Sequence, residues 1–145
     1  MIPKLILVLL LIAGCGQRGN SDAWTIRMDP RLAPLAVWAY DCMLDVTGLA
    51  AGNTLAVPPV RGVAEPWGNG AFGTYYWPSR SIQVQITRPE THVVNIMLHE
   101  MGHDADFRLN GKSTGEDFAN SVNNQCLERN MPSIYPAPRI DWDAE

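Results

Sequence analysis

The sequence predicts a single α+β domain, and three observations lead there. Ile82, Val84 and Ile86 alternate with Gln83, Gln85 and Thr87, which marks a strand with one buried and one polar face. Apolar residues recur at helical spacing on both sides of that strand, from Leu32 to Val46 and along Val93 to Leu98. At 145 residues the chain has room for one domain at most.

In chain order, Trp24-Thr25-Ile26-Arg27-Met28 alternates apolar and polar and predicts a first strand. Asp29 followed by Pro30 reads as a helix cap with proline at the first helical position. Leu32, Leu35, Ala36, Ala39, Cys42, Met43 and Val46 continue that helix, and Gly48 is its stop signal. Leu55 to Val60 predicts a second strand, ended or bent by Pro58-Pro59, and EPWGNGAFG is a glycine-rich loop. Phe72–Trp77 and Ser81–Thr87 form a predicted hairpin joined through Pro78-Ser79-Arg80. A helix is expected from Glu90 to Leu109, with Asn110-Gly111 as its end. A last helix follows from Ser113 to Arg129, with Phe118, Val122 and Cys126 on one stripe. The proline-rich tail PSIYPAPRIDWDAE reads as an extended strap, and no internal repeat is visible.

Residues 1–14 carry one lysine, Lys4, and an apolar run from Leu5 to Ala13, which is too short for a permanent span and reads as a cleaved signal segment. Its end, Ile12-Ala13-Gly14-Cys15, resembles the lipobox of bacterial lipoproteins. That resemblance implies lipidation of Cys15, a membrane anchor through the N-terminal lipid, and a tether over residues 15–23 ahead of a folded domain at 24–145. It also implies residence in the bacterial cell envelope. Gly16 in place of aspartate points to the periplasmic face of the outer membrane if the cell is Gram-negative.

Loss of Lys4 moves the formal net charge from −4 to −5. Nucleic acid is therefore not an expected partner, because neutralising phosphates needs clustered Lys and Arg. With Cys15 lipidated, Cys42 and Cys126 remain; in an export compartment they suggest one disulfide, the alternative being two separate buried thiols.

The chemistry concentrates at residues 99–103, H-E-M-G-H. Two histidines four apart on a helix project from nearly the same direction, one turn apart. His99 and His103 can thus offer imidazole nitrogens to one tetrahedral Zn2+, with Glu100 beside them as general base toward water that the metal acidifies. The alternative is a solvated polar face that matches the pattern by accident.

At these residues the chain resembles the zincin metallopeptidases, and the order of its elements is similar to theirs. The resemblance implies an α+β zincin-like fold: a small mixed sheet with an antiparallel edge hairpin packed on the H-E-x-x-H helix, plus flanking helices. It implies a zinc endopeptidase that hydrolyses peptide bonds in a peptide or protein substrate, bound by strand addition to the edge Phe72–Trp77. A monomer is expected. The competing reading is a non-proteolytic lipoprotein of the same fold, an interaction or immunity factor with a structural or vestigial zinc site; hydrolysis of a non-peptide envelope substrate would use the same residues.

The third zinc ligand is not given by the motif. The metzincin pattern fails, because Asp106 and Leu109 stand where that family has a glycine and a ligand. Asp106 as ligand would lie about 10 Å along the helix axis from His99. Glu116, thirteen residues after His103, begins an E-x-x-A-N stretch that looks like the gluzincins, including their compact single-domain members. That resemblance makes Glu116 the third ligand and Asn120 the buttress of a ligating histidine. Two alternatives stay open: Asp117 as ligand, and Ser113-x-x-Glu116 as a capping box in which the glutamate serves only the helix start. Among the remaining polar residues, His92 reads as helix start or cleft lining, and Tyr75, Tyr76 and Tyr135 as oxyanion candidates or packing. Asp104 reads as support for a ligand or as solvated, and Trp67 and Trp77 as packing.

Overall fold

The computed structural model describes residues 27–64, 71–86, 89–129 and 137–145. Cys15 and the proposed leader and tether lie outside the described residues, as do Trp24 to Ile26, Trp67 and Tyr135. The described chain is α+β, with three helices and one three-stranded mixed sheet in the order α1 (Ala33–Thr47), β1 (Val60–Val63), β2 (Gly73–Tyr76), β3 (Ser81–Gln85), α2 (Glu90–Asn110) and α3 (Glu116–Arg129).

Helix α1 starts later than Asp29-Pro30 predicts. Residues 30–32 form a turn in which the Leu32 amide donates to the Asp29 carbonyl at 3.0 Å, and helical geometry begins at Ala33 with Pro34 in the first turn. Proline fits there because its missing N–H would have no helical partner. The Asp29 side chain instead accepts from the Arg31 amide and guanidinium, at 3.0 and 2.7 Å, and this pairing holds its carboxyl below the usual range. The Asp29 amide also donates to the Val60 carbonyl at 2.7 Å, tying the helix entry to β1. Arg27 and Met28, the described end of the expected first strand, are not in a strand. The helix closes on Gly48 at φ 79°, a left-handed conformation that glycine adopts without strain.

The strand expected over Leu55–Val60 begins only at Val60. Pro58 and Pro59 have no N–H to give a ladder, so pairing starts once they are passed. The sheet order is β1-β3-β2, with β1 parallel and β2 antiparallel to β3. The β2–β3 pair is the expected hairpin; β2 is one residue shorter at each end, β3 starts at Ser81 as expected and ends at Gln85, and β2 is an edge strand. The registers Val60↔Ile82 and Tyr75↔Ile82 put Val60, Tyr75 and Ile82 on one face, all fully buried. Gly73, opposite Val84, shares that face.

Helix α2 carries Val93, Met97, Met101 and Ala105 as a fully buried stripe, and it packs against both other helices, β2 and β3. It ends as expected, at Gly111 with φ 71°, whose amide donates to the Phe107 carbonyl at 2.8 Å. Helix α3 begins at Glu116, three residues later than Ser113. Cys42 of α1 and Cys126 of α3 are joined in a disulfide with a Cα–Cα distance of 5.9 Å. The described tail, 137–145, contains no strand, but Ile140 is buried in the core.

Candidate metal centre

Three side chains converge at the seam between α2 and α3. His99 Nε2 lies 2.8 Å from one Glu116 carboxylate oxygen, and His103 Nε2 lies 3.7 Å from the other. The two Nε2 atoms are 3.2 Å apart. A tetrahedral zinc ion with bonds of about 2.0–2.2 Å spaces its ligand atoms by about 3.3 Å. The observed separations bracket that value, so the residues present fit a small divalent ion. His103 is fully buried, while the His99 and Glu116 side chains are partly open.

The tautomer argues the same way. His99 Nδ1 stands 3.0 Å from Asn120 Oδ1, an acceptor, which places a ring proton on Nδ1. In neutral His99 the Nε2 lone pair then faces the Glu116 carboxylate and the second imidazole. Three electron-rich atoms this close need a shared cation, a metal ion or a proton. Burial and the neighbouring His103 hold His99 below the ordinary imidazole range. Burial also pulls His103 down, but the hydrogen bond to Glu116 and the charges of Glu100, Glu116 and Asp106 outweigh it and leave His103 raised. Burial would raise Glu116, yet the two histidines hold it low.

Two glycines make this convergence possible, and neither was singled out from the sequence. A Cβ on Gly102 would lie 2.7 Å from the Ala119 Cα, so α2 and α3 meet backbone to backbone at the turn between the histidines. A Cβ on Gly73 would run into the Glu100 carboxylate and come within 2.6 Å of Ile96. Glu100 is therefore tucked under the edge strand, 1% exposed, at the inner end of a cleft. That cleft, of about 250 Å³, is lined by Phe72, Gly73, Asn95, Ile96, His99, Glu100 and Glu116. The available signals were a glycine inside a helix and one inside a strand, each a residue that weakens its element unless close approach requires it.

The other candidates resolve differently. Asp106 is fully buried and accepts from the Thr114 amide at 2.6 Å, the Thr114 hydroxyl at 2.8 Å and the Asn110 amide at 2.7 Å. It is not in the converging group, and neither is Asp117, which is exposed. The Ser113 hydroxyl accepts from the Gly115 amide at 3.3 Å while the Glu116 carboxylate faces the histidines, so the capping box does not describe this helix start. Asp104 is not solvated. It is a fully buried hub that accepts from the Tyr75 hydroxyl at 2.9 Å and from Arg80 at 2.7 and 2.8 Å. This pairing corrects the oxyanion reading of Tyr75: its hydroxyl is turned to Asp104, and burial followed by the Asp104 charge pushes its pKa up. Tyr76 reaches Gln83 across the hairpin at 3.3 Å, and Trp77 stacks on Phe107 at 5.1 Å. His92 is exposed on the first turn of α2 and lines a neighbouring hollow with Phe72, Asn95 and Ile96.

Compared with protein-family models, curated proteins and solved structures, the chain matches none of the three.

Proposed function

We propose that the chain is a zinc-dependent endopeptidase of zincin-like build. The observation that carries this reading is the convergence of His99, His103 and Glu116, with Glu100 buried at the same cleft. Zinc held by those three residues would polarise a peptide carbonyl and acidify water.

Glu100 has the position of the proton carrier. It follows His99 directly, lines the cleft with it, and is shielded from bulk water beneath Gly73. Its carboxylate takes a proton from the attacking water and returns it to the leaving amine. Asn120 keeps the His99 ring oriented. The edge strand β2 borders the cleft at Gly73, where an extended peptide can align by adding a strand. With Cys15 as a lipid anchor, the enzyme would work at a bacterial envelope membrane as a monomer.

Zinc titration of the purified protein, followed by peptide-library cleavage, tests the proposal. One zinc per chain is expected, with cleavage lost in Glu100→Gln while zinc is retained. Zinc that binds without cleavage, closed by a fourth protein ligand, would instead favour the non-proteolytic lipoprotein.

A further inference from the structure

Asp106 sits at position i+3 from His103 and lies outside the donor cluster, yet it is fully buried and carries three hydrogen bonds. Two of them go to Thr114, one to the backbone amide and one to the hydroxyl. Thr114 is two residues before Glu116, with only Gly115 between them. The third bond, from Asn110, pins the last turn of α2 to the same carboxylate.

The connection between the helices needs such a fastening. Gly111 and Gly115 both have positive φ, at 71° and 117°, so the backbone reverses through its two most permissive residues. Glycines of this kind lose much conformational freedom on ordering, and a loop held at its ends alone would leave the first turn of α3 loosely placed. What holds Thr114 therefore helps locate the Glu116 backbone, alongside the packing of Ala119 on Gly102 one turn further on. Among the described residues, Asp106 is the side chain that bonds Thr114.

We infer that Asp106 is a positioning residue for the metal site. It fixes Thr114, and through it the first turn of α3, so that the Glu116 carboxylate meets His99 and His103. This rests on the reading of Glu116 as the third ligand. It also explains why an acidic side chain beyond the second histidine is buried where it cannot itself ligate.

The test is a double-mutant cycle read as zinc affinity by competition with a chromogenic chelator, on the full chain. Asp106→Asn is expected to weaken zinc binding about tenfold, the lower end of the range for groups bonded to a ligand directly, since Asp106 acts through Thr114. In a Glu116→Gln background the same substitution should cost far less, because the ligand it places is already gone and only its charge near His103 is still lost. Cobalt(II) in place of zinc supplies a spectroscopic readout. Asp106→Asn should move the visible bands toward those of Glu116→Gln. Thr114→Val, which keeps the amide and removes only the hydroxyl, should shift affinity a few-fold in the same direction and serves if Asp106→Asn does not fold.

Equal losses in both backgrounds, or no loss from either Asp106→Asn or Thr114→Val, would overturn the inference. Glu116→Gln that leaves zinc affinity unchanged would overturn the ligand reading itself, and this inference with it.

Discussion

Gly102 of α2 and Ala119 of α3 touch so closely that a methyl group on the glycine would lie 2.7 Å from the alanine Cα and 3.0 Å from its carbonyl oxygen. This contact sets the spacing of the two helices one turn from where Glu116 faces the histidines. Gly102→Ala should therefore harm the protein even though alanine favours an isolated helix by about 1 kcal/mol. Overpacking of this kind costs roughly 1–3 kcal/mol. The expected outcome is a lower melting temperature together with at least tenfold weaker zinc binding, followed by thermal melts and chelator competition. A variant that gains stability and keeps its zinc affinity would show that the helices do not need this approach.

Gly73→Ala addresses Glu100, the proposed general base, without touching a proposed ligand. The new methyl group would collide with the Glu100 carboxylate and with Ile96, so the carboxylate must leave its place under β2. Cleavage should fall by about a hundredfold or more, the scale of general-base contributions, while zinc stoichiometry stays at one. Comparing turnover and zinc content of the same preparation checks this. Loss of both together would point to collapse of the site instead.

The pH dependence follows from the opposite shifts of the two histidines. His103 is raised above 6.5, so in the metal-free protein it keeps its proton to higher pH than a free imidazole, whereas His99 and Glu116 are lowered and give theirs up earlier than usual. The stabilisation that protonated His103 gives the metal-free fold is complete below 6.5 and is lost as pH rises through its raised value. Zinc must displace that same proton, so its affinity climbs over the same window and levels off above it. The gap in melting temperature between zinc-loaded and metal-free protein should widen as pH rises from 6.5 through the raised His103 value. A gap that narrows over this range would contradict the assignment.

The disulfide between Cys42 and Cys126 spans 84 residues and ties α1 to the helix that bears Glu116. Replacing both cysteines with serine should cost roughly 2–5 kcal/mol, chiefly by freeing the unfolded chain. Denaturant midpoints measured with and without the substitutions give the number. Reduction should also weaken zinc binding, because α3 then loses its covalent tie to α1.

Much of this protein is determined by local sequence. The spacing of His99 and His103, the stops at Gly48 and Gly111, and the apolar Ile82–Val84 face of β3 follow from short-range geometry, but the expected polar face does not, since Gln85 is buried as well. Local pattern also failed in identifiable places. Asp29-Pro30 has the form of a helix start, but Asp29 is drawn off by Arg31 and by β1, and the helix begins at Ala33. Pro58-Pro59 delays the strand to Val60, because a ladder needs donors those residues lack.

The convergence of His99, His103 and Glu116 was decided by tertiary structure alone. Ser113-x-x-Glu116 is compatible with a capping box or with a metal ligand, and nothing within four residues separates the two. Likewise Asp104 and Asp106 are chemically alike and two residues apart, yet one is a hub for Tyr75 and Arg80 while the other holds Thr114. The partners of Asp104 come from distant β2 and the hairpin turn, whereas those of Asp106 come from its own helix end and the adjoining α2–α3 connection. The residue types are written in the chain, but which of them meet is set by how closely Gly102 and Gly73 let the elements approach.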